Sequence, residues 1–305
     1  MKKFICQVGI FISITVTVIL IMVTITIAIM SQASFKIDSN KNILILGESL
    51  TETGIDDNIF KRGINLSQSG SAYIYSYCKL KKILENNQHI DTVILSFRYS
   101  SLLQESEDKW IMGEDFLVPK VTFHITLLEK EDFFIYKDKR VLLQAILKVP
   151  VRNIGLIIKY FRKGTAISYK DMRIGGYLKL VRQQLQRDLE ENWSLEETDS
   201  VKKESSIQKK YLLKIVDYCK ENNVKLILLN MPIYKPELYG SSDKLYEYHS
   251  KYLNGIDLLD YSNFSLPDES YYGDVAHLNY KGAEIFSRYL QLNLSNDLKM
   301  QNKKE

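Results

Sequence analysis

Apolar residues follow three rhythms along the chain. The first is unbroken. Phe4 to Met30 holds no charged residue in 27 positions, roughly 40 Å of helix at about 1.5 Å per residue, against a hydrocarbon core of about 30 Å. In lipid a lone segment must satisfy its own backbone, so this β-branched run is expected to be a helix. Lys2 and Lys3 precede it, which puts the N-terminus in the cytoplasm and the rest outside, periplasmic in a Gram-negative cell. A signal peptide cut near Ser31–Ala33 is the rival; the run is about twice the usual length of such a core, which favours an uncleaved anchor.

The second rhythm is a set of short apolar runs at strand length: Ile43–Leu46, Ile64–Leu66, Thr92–Phe97, Val224–Asn230 and Ile256–Leu259. The third is helical. Ser71–Asn87 places Ile74, Tyr77, Cys78 and Leu84 along one face, and Ser205–Asn223 does the same with Tyr211, Leu212, Ile215 and Cys219. Both end in Asn-Asn, suited to a left-handed cap. Strand–helix–strand with continuous apolar strands predicts a parallel sheet covered on both faces. The fold class is therefore α/β: a three-layer α/β/α, flavodoxin-like parallel sheet of about five strands, with an N-terminal transmembrane helix.

Between about 101 and 203 the alternation stops. "RVLLQAILKVPVRNIGLIIKYF" and "GGYLKLVRQQLQRDLEENW" read as amphipathic helices, with Pro150 breaking the first. A mostly helical insertion is expected, a solvated cap that could act as a lid or an oligomer contact; the mixed basic and aromatic "IIKYFRKG" leaves a membrane-lying face open. The domain plan is an anchor over 1–30, a polar tether over 31–41, an α/β/α domain over 42–295 that contains the insertion, and a polar, frayed tail over 296–305.

Composition adds limits. A net charge of +4 spread along 305 residues argues against a nucleic-acid partner. Three cysteines without a CxxC pair make neither a disulfide framework nor a zinc site; Cys78 and Cys219 are expected as packed thiols.

The chemistry gathers at three places. "ILILGES" sets Ser49 at the end of the first strand, "NLSQSG" ends in Gly70, and "DVAH" holds Asp274 and His277. A serine hydroxyl needs an imidazole to take its proton and a carboxylate to orient that imidazole. Asp274 and His277, three apart in a turn, suit the second task, held by a following helix with Ala283, Phe286, Tyr289 and Leu290 on its apolar face. Ligands in open α/β sheets bind beyond the carboxyl ends of strands, where Ser49 lies.

Simpler readings compete. Ser49-Leu50-Thr51-Glu52 fits a capping box, in which the serine only serves its own helix. Asp274 and His277 could be turn residues, or a metal pair without a third ligand. His89, His124 and His249 are expected to be structural or exposed, and Glu52, Asp56 and Asp57 to be surface charges, which leaves little for a paired-carboxylate glycosidase.

In order and spacing the three segments resemble the SGNH (GDSL) hydrolase family over about Asn42–Phe97 and Val224–Leu290. The resemblance implies Ser49 as nucleophile, His277 as base, Asp274 as its partner, the Ser49 and Gly70 amides as oxyanion donors, and no metal or cofactor. Two departures stand out. Glu48 replaces the usual aspartate before the serine, and "SFRYSS" stands where the family's GxND block would supply an asparagine. Arg98, Tyr99 and Ser100 are candidates to replace that donor or to hold substrate, and Tyr271 and Tyr272 could stack on sugar, with packing the plainer use. "LLNMPIY" and "DVAHLNYKGAEIF" resemble the membrane-anchored SGNH-like proteins of bacterial polysaccharide O-acetylation. This implies an esterase or O-acyltransferase acting on an acylated polysaccharide, with polysaccharide-assembly proteins as possible partners. Two alternatives are an inactive glycan-binding or assembly module of the same fold, and a structural membrane protein whose insertion drives assembly.

Overall fold

A computed structural model of the chain describes residues 1–163, 167–191, 203–235 and 242–301. The chain divides into two compact units, one of 1–36 with 111–174 and one of 37–110 with 175–305.

The second unit is the sheet. Strands β1 (Ile43–Leu46), β2 (Gly63–Asn65), β3 (Thr92–Ser96), β4 (Lys225–Asn230) and β5 (Asp257–Asp260) lie in the order β2-β1-β3-β4-β5, all parallel. Parallel neighbours need crossovers, and helices supply them: α2 (Ser49–Gly54), α3 (Tyr73–Asn86), α10 (Ser206–Glu221) and α11 (Asp243–Tyr252), with α12 (Tyr280–Gln301) following the last strand. Period-two alternation splits the strand residues between the faces. Ile43, Ile45, Ile94, Ile227 and Leu229 pack with Leu50 of α2 and with Phe286 and Leu290 of α12. On the opposite face α3 and α10 pack together. Leu44, Ile45, Leu46, Val93, Leu95 and Leu228 have no exposed surface, so truncating one to alanine would cost about 2–5 kcal/mol. Cys78 and Cys219 are free and buried, as expected, and burial pushes the Cys219 thiol up to about 12.

The first unit is helical: α1 (Lys2–Ser31), α5 (Glu114–His124), α6 (Lys139–Leu147), α7 (Val149–Arg152) and α8 (Ile154–Lys163). α1 is long and apolar enough to span a membrane. Its last third packs against α6, α7 and α8. Pro150 sits in the first turn of α7 and separates it from α6, the break its ring and missing N–H demand.

Four expectations change. The polar tether is not loose: Ala33, Phe35 and Ile37 alternate into buried positions, and Ser34 bridges Ser168 in the helical unit. The helical insertion is narrower than 101–203. Residues 104–107 form the short α4 (Gln104–Glu107) and 185–190 form α9 (Leu185–Glu190), both in the sheet unit. "GGYLKLVRQQ" is extended, because Gly175 and Gly176 hold φ of +136° and +156° and the amides beyond them bond to distant carbonyls. Only one Asn-Asn makes a left-handed cap: Asn223 has φ +54°, whereas Asn87 sits at φ −145° and spends its side chain on the Ile83 carbonyl and the Ile37 amide. The insertion's end over 192–202, and residues 302–305 of the tail, lie outside the described residues.

Candidate active site

Ser49 opens α2 immediately beyond β1. The turn between them needs Gly47: a Cβ there would stand 2.4 Å from both the Ser96 Cβ and the Thr51 Oγ1. The helix N-cap is Glu48, without a side-chain cap bond. The capping box is not made. The Ser49 hydroxyl lies 2.7 Å from His277 Nε2, and the Glu52 carboxylate accepts the amide and hydroxyl of Ser69 instead.

His277 is half-buried and Asp274 is buried. Asp274 Oδ1 receives His277 Nδ1 at 2.8 Å, the Ala276 amide at 2.9 Å and the His277 amide at 2.8 Å. The turn thus folds around its own carboxylate. Burial works to raise the Asp274 carboxyl, but the hydrogen bond and charge of His277, with the two amides, outweigh it and hold the group well below the usual carboxylate range. With Nδ1–H donated to the carboxylate, Nε2 is left as the acceptor facing the serine hydroxyl.

Two asparagines outside the expected set hold these pieces. Asn65, at the end of β2, donates to the carbonyls of Thr51 and Ile55, both at 2.8 Å, and accepts the Ser67 amide, which ties the serine helix to the next loop. Asn279 donates to the carbonyls of Ser270 and Tyr272 and accepts the amides of Lys281 and Gly282, which fixes the histidine turn on the start of α12. Arg182 is the third unforeseen residue. It lies on the extended stretch after Gly176 and donates to Asp274 Oδ2. The same stretch bonds in turn to Ser67, Glu52, Tyr280 and Gly273, so it straps the serine side of the site to the histidine side.

The loop before Gly70 is fastened at successive backbone groups. The amides of Leu66, Ser67, Gln68 and Ser69 go to Ile45, Asn65, Gly47 and Glu52. The Leu66 carbonyl accepts Lys79 Nζ at 2.5 Å, and the Ser67 carbonyl accepts the Gly176 amide. Burial brings the Lys79 amine down to about 7 against the opposing pull of Glu52. Gly70 follows at φ +61°, a left-handed conformation that favours glycine. It is buried, and its amide donates to no acceptor among the described residues.

The remaining candidates have other partners. Tyr99 donates to Glu204 at 3.2 Å and packs beside Tyr248. The Ser100 carbonyl accepts Ser106 Oγ. Tyr272 is buried edge-on to Tyr234, with ring centres 5.3 Å apart, beside a groove of about 320 Å³ that Phe264 and Glu269 also line. Arg98 faces Glu48. Burial pushes the Glu48 carboxyl up, with Arg98 and His277 holding it partly back, and its Oε1 is buried with no hydrogen-bond partner among the described residues. His124 and His249 bind backbone carbonyls. Among the described residues no three His, Cys, Asp or Glu side chains gather as a metal cluster.

One family model matches residues 181–299, the stretch that carries Arg182, Asp274 and His277. No curated protein matches the chain. Among solved structures, the chain is similar to a Bacteroides fragilis protein assigned as an acylhydrolase, at 13% identity and a TM-score of 0.37 over 86% of this chain and 91% of that one. It is also similar to a GDSL-like lipase from Bacteroides thetaiotaomicron, at 10% identity and a TM-score of 0.38 over 88% and 94%. The fold is defined by the chain's own parallel topology, and its chemistry by its own side chains.

Proposed function

We propose that this chain is a membrane-anchored serine esterase or O-acyltransferase of the SGNH type. Its substrates are ester-linked acyl groups, acetyl foremost, on a cell-envelope or exported polysaccharide, and its catalytic unit faces away from the cytoplasm. The observation that carries the reading is the unbroken hydrogen-bonded series from Ser49 Oγ through His277 to Asp274.

In this reading Ser49 Oγ attacks the acyl carbonyl while its proton passes to His277 Nε2. Asp274, ionised well below neutral pH, offsets the charge that appears on the imidazole. The carbonyl oxygen becomes an oxyanion facing the amides of Ser49 and Gly70. Collapse breaks the ester bond, and the departing sugar alcohol takes the proton from His277. The acyl-enzyme is then resolved by water or by another sugar hydroxyl, with His277 removing the proton of whichever attacks. The polysaccharide substrate rests on the sequence resemblance of "LLNMPIY" and "DVAHLNYKGAEIF".

One observation favours a second reading, an inactive module that binds glycan or an assembly partner. The segment Ser96–Ser101 at the end of β3 holds no asparagine, and Tyr99 there is engaged by Glu204. A lost oxyanion donor costs about 10²–10³ in rate. Labelling of the full-length, folded protein with a fluorophosphonate decides between them. Covalent labelling that disappears in Ser49→Ala supports the enzyme; a native chain that stays unlabelled supports the binding module.

A further inference from the structure

The helical unit leaves one apolar face uncovered by its own helices. Leu143 and Leu147 of α6, Val151 of α7, and Ile154, Ile158 and Phe161 of α8 are exposed, Phe161 by 69% and Val151 by 73%. In α8 the spacing i, i+4, i+7 puts its three residues on one stripe. The same stretch is strongly basic: between positions 139 and 163 the sequence has seven lysines and arginines and no acidic residue. Lys159 pairs with Asp171 at 2.5 Å, which leaves the other six cations to flank the stripe, and an apolar stripe with basic flanks is the pattern of a helix lying in a membrane interface.

The anchor fixes the level of this face. In α1 burial begins at Val23 and continues at Thr26, Ile29 and Met30. The stretch before it, Phe4 to Met22, is 19 residues, roughly 28 Å at about 1.5 Å per residue, close to a hydrocarbon core of about 30 Å. The helices α6, α7 and α8 therefore take hold of α1 where the bilayer thickness is used up. Their exposed stripe is continuous with a spanning helix and needs no linker to reach lipid. A second copy of the chain suits this face less well, because a twofold contact would set the cationic stretch against itself.

We propose that α6–α8 form a second membrane contact beside the α1 span. The apolar stripe enters the acyl boundary, and the lysines and arginines other than Lys159 lie among anionic headgroups. The contact anchors the helical unit at two places, so it cannot swing about α1 as a single pivot.

Nitroxide labels test this in the full-length protein reconstituted in phosphatidylcholine vesicles, with and without phosphatidylglycerol. They are placed by Ile158→Cys and Phe161→Cys in a Cys6→Ser, Cys78→Ser, Cys219→Ser background, with Leu213→Cys of α10 as the reference. The expected result is an oxygen-to-nickel collision ratio at 158 and 161 several-fold above that at 213, rising with phosphatidylglycerol. Equal ratios at all three sites overturn the proposal. So does spin–spin broadening at 158 and 161 that unlabelled protein dilutes away, which would assign the face to a second copy. If the cysteine-free chain fails to fold, Phe161→Trp in the native chain serves instead. Quenching by brominated lipid beyond that of the native chain supports the contact, and no added quenching overturns it.

Discussion

The hydroxyl of Ser49 points at the Nε2 atom of His277, 2.7 Å away, across a separation of 228 residues, although its own neighbours spell a helix cap. His277→Asn keeps the turn's size but removes the acceptor that faces the serine. Fluorophosphonate labelling is expected to slow by about 10²–10⁴-fold, the usual contribution of a general base, with the melting temperature nearly unchanged. Labelling at the native rate would mean that the imidazole does not activate Ser49.

In the proposed mechanism Arg182 is a positioning residue that acts through Asp274. Its side chain is 45% exposed, so water screens the ion pair. Arg182→Ala is expected to lower kcat for an aryl acetate about two- to five-fold, in line with an exposed ion pair of about 0.4–1 kcal/mol, and to leave KM in place. Arg182→Lys should recover part of the loss. An unchanged kcat in Arg182→Ala would remove the residue from the mechanism.

Asp274 ties stability to pH. Its folded-state affinity for a proton lies below that of the unfolded chain, whose value is near 3.8. Its contribution is therefore complete above about pH 4 and is lost as pH falls toward the folded value. The difference in unfolding free energy between the native chain and Asp274→Asn should shrink from pH 5 to pH 2. A difference that stays level would show that the carboxylate is not held ionised.

Lys79 has the same sign in a higher pH window. In the fold its amine sits at about 7, against 10.5 in the ordinary chain, because burial disfavours the charge. Between those values the unfolded chain binds more protons, so stability rises with pH. Relative to Lys79→Met, the native protein should gain stability from pH 7 to pH 10, read from thermal or denaturant midpoints. A flat difference would indicate that the amine stays charged in place.

The sheet and the grouping of Ser49, His277 and Asp274 are legible in the sequence because both depend on short-range pattern: apolar strand runs, and residue types at strand ends and in one tight turn. Strand edges moved by only a residue or so, as with β2 at Gly63–Asn65 instead of Ile64–Leu66. The supporting residues were hidden because their partners are distant. Asn65 looked like part of a strand, and its work lies with the carbonyls of Thr51 and Ile55. Arg182 lay in a stretch with helical periodicity, and the glycine pair before it sends the backbone into an extended path toward Asp274, 92 residues on. The Ser49–Glu52 cap misled for the same reason: Glu52 is taken by Ser69, 17 residues away.

The position of the helical segment in the sequence, between β3 and β4, also shapes how the protein is made. β3 ends at Ser96, and its neighbour β4 begins only at Lys225. At synthesis rates of about 5–20 residues per second the apolar edge of β3 waits on the order of ten seconds for its partner. During that interval the growing chain presents a hydrophobic strand with one edge unpaired. Assembly of the sheet is thus paced by translation, and slowing the ribosome between those strands should raise the fraction lost to aggregation before Asp274 and His277 have been synthesised.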